Sequence, residues 1–215
     1  MKRINDIVSD AIDVRINDDN KDKTFDISKI DFDLLSREFA HTRRKNLLLR
    51  DLDELVNQQL AKMLFANPQR IDYYDRYQEI IDAYNAEQNR ATIEKTFMDL
   101  MELASSLDTE QQRYVREGFS SDEELSVYDL LFSENLTKQE IETIKKVSVD
   151  LLTKIKQQIA KLDHWTDKQE TKAIVDNLIR NTLWQELPNS YDVSDIQTYQ
   201  KKIYEYVYMR YPEVA

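Results

Sequence analysis

Cysteine is absent from this chain of 215 residues, glycine occurs once and proline three times. Without cysteine there is no disulfide framework and no thiolate chemistry, which fits an expected cytoplasmic location. The single Gly118 cannot build a P-loop, which needs two glycines before its Lys-Ser/Thr, nor a dinucleotide-binding fingerprint. Sheet proteins use glycine at hairpin turns, and disordered tails are rich in proline and glycine, so both classes lose weight. Lys2 and Arg3 are followed by no continuous apolar stretch, so no signal peptide is expected, and no run approaches the length of a membrane span.

What the chain does have is helical periodicity, and its longest stretch runs from Thr137 to Leu162. Thr137-Lys138-Gln139-Glu140 fits a capping box, in which hydroxyl and carboxylate each satisfy an orphan amide of the first turn. Ile141, Ile144, Val147, Leu151, Leu152, Ile155, Ile159 and Leu162 then recur at helical spacing, with lysines on the remaining surface. Such a helix cannot hold its backbone in place alone and needs helical partners.

The rest of the chain supplies them. Ile4, Ile7, Val8, Ala11 and Ile12 make a short amphipathic opening, broken by the polar run from Asn17 to Lys23. Residues 1–23 therefore read as a leading segment and linker, and 24–215 as a helical domain, long enough for one full core or two small ones. The spacing predicts helices over Phe25–Phe39 (Ser28 as cap; Ile30, Leu34, Leu35 and Phe39 inward), Leu47–Ala66, a segment begun by Asp72, and Ala91–Leu107. It predicts a shorter one begun by Asp108 and ended by Gly118, then one from Ser121 through Phe132. Thr166 is expected to cap a helix through Ile174, Leu178, Leu183 and Trp184, and the last helix spans about Ser194 to Arg210. The expected fold class is all-α, a multi-helix bundle with essentially no sheet.

The net charge of −11 argues against a general DNA-binding surface. From Asp108 to Glu142, ten acids against three bases leave −7, while Arg37, Arg43, Arg44, Lys45 and Arg50 show the opposite bias. Solvated helical faces account for both. The acidic stretch also supports a rival reading, a free-standing DNA mimic or interaction protein that blocks a DNA-binding enzyme.

Candidate chemistry is sparse. The histidines are His41 and His164; His164 lies near Asp163 and Asp167, but neither HExxH nor a Glu-x-x-His pair exists. Asp163 with Glu170 and Lys172 imitates a nuclease Asp…Glu-x-Lys set, yet residues 170 and 172 fall on different sides of a predicted helix. No catalytic, cofactor-binding or metal-ligating residue is therefore expected. Of the twelve tyrosines, Tyr204, Tyr208 and Tyr211 lie off the face formed by Ile196, Tyr199, Ile203, Tyr206 and Val207. With Trp165 and Trp184 they are the expected partner-binding residues, being of the types that dominate interface hot spots. Core burial competes for both tryptophans, more strongly for Trp184.

Several stretches together resemble the C-terminal helical region of the R (restriction, motor) subunit of type I restriction enzymes. They are Lys23–Phe32, Asn67–Tyr74 with Arg76-Tyr77, Arg116-Glu117-Gly118-Phe119, Asp163–Lys168 and Leu183–Tyr191. The likeness spans roughly Lys23 to Pro212. It implies a part of a large machine whose parent subunit carries nuclease and ATPase domains using ATP and Mg2+. Those domains have no counterpart here, so no catalytic residue carries over, and the chain is expected to be an excised domain or truncated gene product. The resemblance further implies docking onto the methyltransferase (M) and specificity (S) subunits, with DNA met only through the parent complex and no membrane contact.

Overall fold

A computed structural model describes residues 31–87 and 89–212. Among them are nine α-helices, one 3-10 turn and no strand, an all-α fold as the periodicity predicts. The opening segment, the polar linker, the boundary at Lys23/Thr24 and the Ser28 cap lie outside the described residues. The chain forms two compact units, divided between Arg113 and Tyr114, each with its own core.

The first unit holds α1 (Phe32–His41), α2 (Lys45–Ala66), α3 (Ile71–Ala86) and α4 (Arg90–Gln111). Asp31 caps α1 by accepting from the Leu34 amide, and Phe39 at its far end stacks flat on Phe97 of α4, with ring centroids 3.6 Å apart. Leu34, expected inward, is 52 % exposed, because the buried stripe of this short helix is carried by Phe39. Leu52, Leu55, Val56, Leu60, Met63 and Leu64 of α2 are buried as their spacing predicts, and α2 lies along α4.

Asn67 and Pro68 stop α2, and the Asn67 side chain accepts from the Gln69 amide to start the 3-10 turn Pro68–Arg70. That turn runs directly into α3, so Asp72 sits inside the first helical turn and caps nothing. At its far end α4 continues through Asp108, where a new start was expected. Its buried stripe of Leu100, Leu103, Ala104 and Leu107 runs on to Glu110, which is held by Arg70 at 2.9 Å and Arg113 at 3.3 Å. Arg70 is only 3 % exposed.

A single helical turn, α5 (Arg113–Arg116), leads to Gly118, whose φ of +84° is left-handed, the conformation that glycine adopts without a side-chain clash. The Phe119 amide then reaches back to the Tyr114 carbonyl at 2.8 Å.

The second unit comprises α6 (Asp122–Leu131), α7 (Lys138–Ile159), α8 (Gln169–Glu186) and α9 (Val193–Arg210). Each packs on the next and α9 returns to α6, so α7 is flanked on two sides. Its capping box forms in full: Glu140 N–H donates to the Thr137 hydroxyl at 3.3 Å, and Thr137 N–H to the Glu140 carboxylate at 2.8 Å. Ile144, Val147, Leu151, Leu152, Ile155 and Ile159 are buried. At α6 the pattern is offset, since Glu124 accepts from Ser120 N–H at 2.8 Å while Ser121 takes the Glu124 amide.

Asp192 and Asp195 form a second full capping box on α9. Thr166 does not cap α8; its hydroxyl donates to the Pro212 carbonyl at 3.2 Å, and the helix begins only at Gln169. Phe132 and Ile174 are exposed, and α6, expected to run through Phe132, ends one residue before it.

Candidate interaction surface

The five aromatic residues singled out by sequence divide sharply. Trp165 sits in the bend between α7 and α8 and is 1 % exposed. Its indole N–H donates to the Tyr211 carbonyl at 2.6 Å, and its own carbonyl accepts from the Thr171 hydroxyl at 2.7 Å. Tyr204 and Tyr208 of α9 meet its ring edge-on, at centroid distances of 6.2 and 5.7 Å. Trp165 is thus a core residue and presents nothing to a partner, which corrects the expectation for it. Tyr204 is half-buried, and Tyr208 keeps one exposed side with the Lys172 ammonium 5.6 Å from its ring centroid.

Trp184 has the opposite fate. It is 59 % exposed, against the expectation that the core would claim it. Helix phase explains this: the buried face of α8 is Val175, Ile179, Thr182 and Leu183, and one further residue turns the chain by about 100° off that face. It makes no ring contact with the Trp165 group among the described residues. The structure therefore gathers Trp165, Tyr204, Tyr208 and Tyr211 and leaves Trp184 on its own.

Tyr211 belongs to a polar cluster. Glu123 of α6 pairs with Lys156, lies 3.6 Å from the Arg210 guanidinium and adjoins the Tyr211 hydroxyl, while the Lys156 ammonium stands 5.4 Å from the Tyr211 ring centroid. Burial works to raise the Glu123 carboxyl, but Lys156, Tyr211 and Arg210 together hold it below its ordinary range. Burial pushes the Tyr206 hydroxyl up to about 12, and drives Tyr211 up further with help from Tyr206 and Glu123. Sequence reasoning missed this cluster because its members lie on three different helices.

The acidic run is also reorganised by folding. Glu110, Glu117, Glu123, Glu124 and Glu140 are each engaged, by Arg70 and Arg113, by Lys145, by Lys156 and Arg210, by the Ser120 amide and by Thr137. Two rows of free carboxylates, as mimicry of DNA phosphates requires, do not form from these residues.

His164 adopts a left-handed φ of 46° and lies 3.6 Å from the exposed Asp163. Among the described residues no group of three or more His, Asp or Glu side chains converges as a metal site. No described helix is long and apolar enough to cross a membrane.

Four of the stretches that carry the family resemblance supply contacts inside one unit or the other. Asn67 and Arg70 make the buried corner, Gly118 and Phe119 the turn out of α5, and Trp165 the bend before α8. Tyr191 donates its hydroxyl to the Leu131 carbonyl at 2.7 Å. No curated protein and no solved structure matches the chain. The family described as type I restriction enzyme HindI endonuclease subunit-like, C-terminal, matches residues 1–211, and the chain belongs to that family.

Proposed function

We propose that this chain is a docking element, through which the endonuclease subunit of a type I restriction–modification complex joins its methyltransferase and specificity subunits. Family membership over residues 1–211 supports the restriction–modification setting. The observation that carries the docking role is Trp184, an indole more than half exposed in a chain whose other tryptophan is fully covered. A tryptophan left in water gives up apolar burial that a partner surface can recover, and such residues dominate interface hot spots. Tyr208, exposed on the adjacent α9, is the second contact residue in this reading.

The chain itself takes no part in ATP hydrolysis or DNA cleavage in this proposal; ATP and Mg2+ act in the parent subunit. One glycine leaves no P-loop to hold a nucleotide. The test is association of the purified chain with the methyltransferase–specificity core of its own system, followed by calorimetry. A saturable complex is the expected result. No association at any salt concentration, or magnesium-dependent DNA cleavage lost in Glu170→Ala, overturns the proposal.

A further inference from the structure

A concave basic corner lies at the start of α2 in the first unit, whereas the residues of the docking argument belong to the second. Its hollow encloses about 600 Å³ and is lined by Thr42, Arg43, Arg44, Lys45, Leu47 and Arg90, with Asn46 beside them. Among the described residues no carboxylate lines it. Lys45 and Arg90 share one acid, Glu94, at 2.6 and 3.2 Å. The Arg43 and Arg44 side chains have no ion pair or hydrogen bond among the described residues, and both are exposed. Four cations against one carboxylate leave the corner strongly positive in a chain of net charge −11. The backbone adds to the same sign: no side chain caps α2, its first turn holds no acid, and its dipole points its positive end here.

We infer that this corner contacts the phosphodiester backbone of a nucleic acid duplex, independently of sequence. Arginine forks bind phosphate oxygens in pairs, and phosphate contact needs nothing else from the surface. An acidic protein segment is the less fitting occupant, because among the described residues Leu47 is the one large apolar side chain lining the hollow and no aromatic ring lines it. For the same reason no base is stacked or read. The acids elsewhere oppose a polyanion at long range, so the contact is short-range and salt-sensitive. Two or three neutralised phosphates give a log–log salt slope of about −1.8 to −2.7, at roughly −0.9 for each. Between 50 and 200 mM salt that is a loss of about 12- to 40-fold.

The experiment is fluorescence anisotropy of a labelled random-sequence DNA duplex with the full chain at low salt. Binding with that slope is expected, and Arg43→Glu/Arg44→Glu should weaken it at least about 10-fold while Arg180→Glu, a charge reversal at an exposed residue of α8, changes it less than about 3-fold. The double alanine variant should fall between, and circular dichroism melts should coincide for all four proteins. Absent duplex binding at low salt, equal loss from Arg180→Glu, or an undiminished Arg43→Glu/Arg44→Glu variant overturns the assignment. Binding of poly-glutamate at this corner without binding of duplex does so too.

Discussion

In sequence the acidic run from Asp108 to Glu142 and the basic bias around Arg43 look like mirror images, two charged faces of opposite sign. In the folded chain they differ in kind. The acidic run is largely spent on the fold, through ion pairs to Arg70, Lys145, Lys156 and Arg210 and through helix starts at Glu124 and Glu140. The basic corner keeps Arg43 and Arg44 uncommitted. The two tryptophans repeat the contrast, Trp165 being absorbed by its unit and Trp184 left outside it. A run of charge along the chain is therefore no measure of surface field. What counts is which charges fold onto partners from elsewhere.

Substitutions in the two regions should sort accordingly, and the largest effect belongs to Glu110. Glu110→Ala removes the carboxylate that pairs with the buried Arg70 guanidinium at 2.9 Å and should cost about 3–5 kcal/mol, read as a lower midpoint in chemical denaturation. A cost near zero would mean the acidic run is a solvated face after all. Next comes Gly118→Ala. Nothing lies within 4 Å of the added methyl, so only the left-handed backbone is strained, at about 1–2 kcal/mol.

Glu123→Gln follows, at about 1 kcal/mol, because its carboxylate is partly exposed. The pH dependence has a fixed sign. A carboxyl held below its unfolded value of 4.5 contributes fully above that pH and loses its share as pH falls through the folded value. The wild type should therefore lose stability faster than Glu123→Gln on acidification below pH 4.5. Parallel acid curves would show that the Glu123 cluster stabilises nothing.

The smallest effect is expected at the basic corner, where Arg43→Glu/Arg44→Glu should shift stability by less than about 0.5 kcal/mol. A larger loss would make those arginines part of the fold and erase the contrast.

How far the sequence could be read depended on range. The Thr137–Glu140 box, the glycine stop at Gly118 and the buried stripe of α7 are set by residues a few positions apart, and all were legible. The Arg70–Glu110 pair joins residues 40 apart, and the Tyr191 hydroxyl reaches a carbonyl 60 away, so no local pattern announced either. The expected break at Asp108 failed for the same reason, since the partner that extends α4 lies beyond its own helix. Trp184 turned on a single residue of helical phase. Its neighbour Leu183 is buried, and apolar spacing alone cannot say which of two adjacent large residues the core takes.

The central claim is that exposed Trp184, and not the buried aromatic cluster, meets the partner. It is tested most directly by titrating wild type and Trp184→Ala against the methyltransferase–specificity core by calorimetry, with melting temperatures measured alongside. A hot-spot indole contributes about 2 kcal/mol or more, so Trp184→Ala should bind about 30-fold more weakly with an unchanged melting temperature. Equal affinity of the two proteins would contradict the claim.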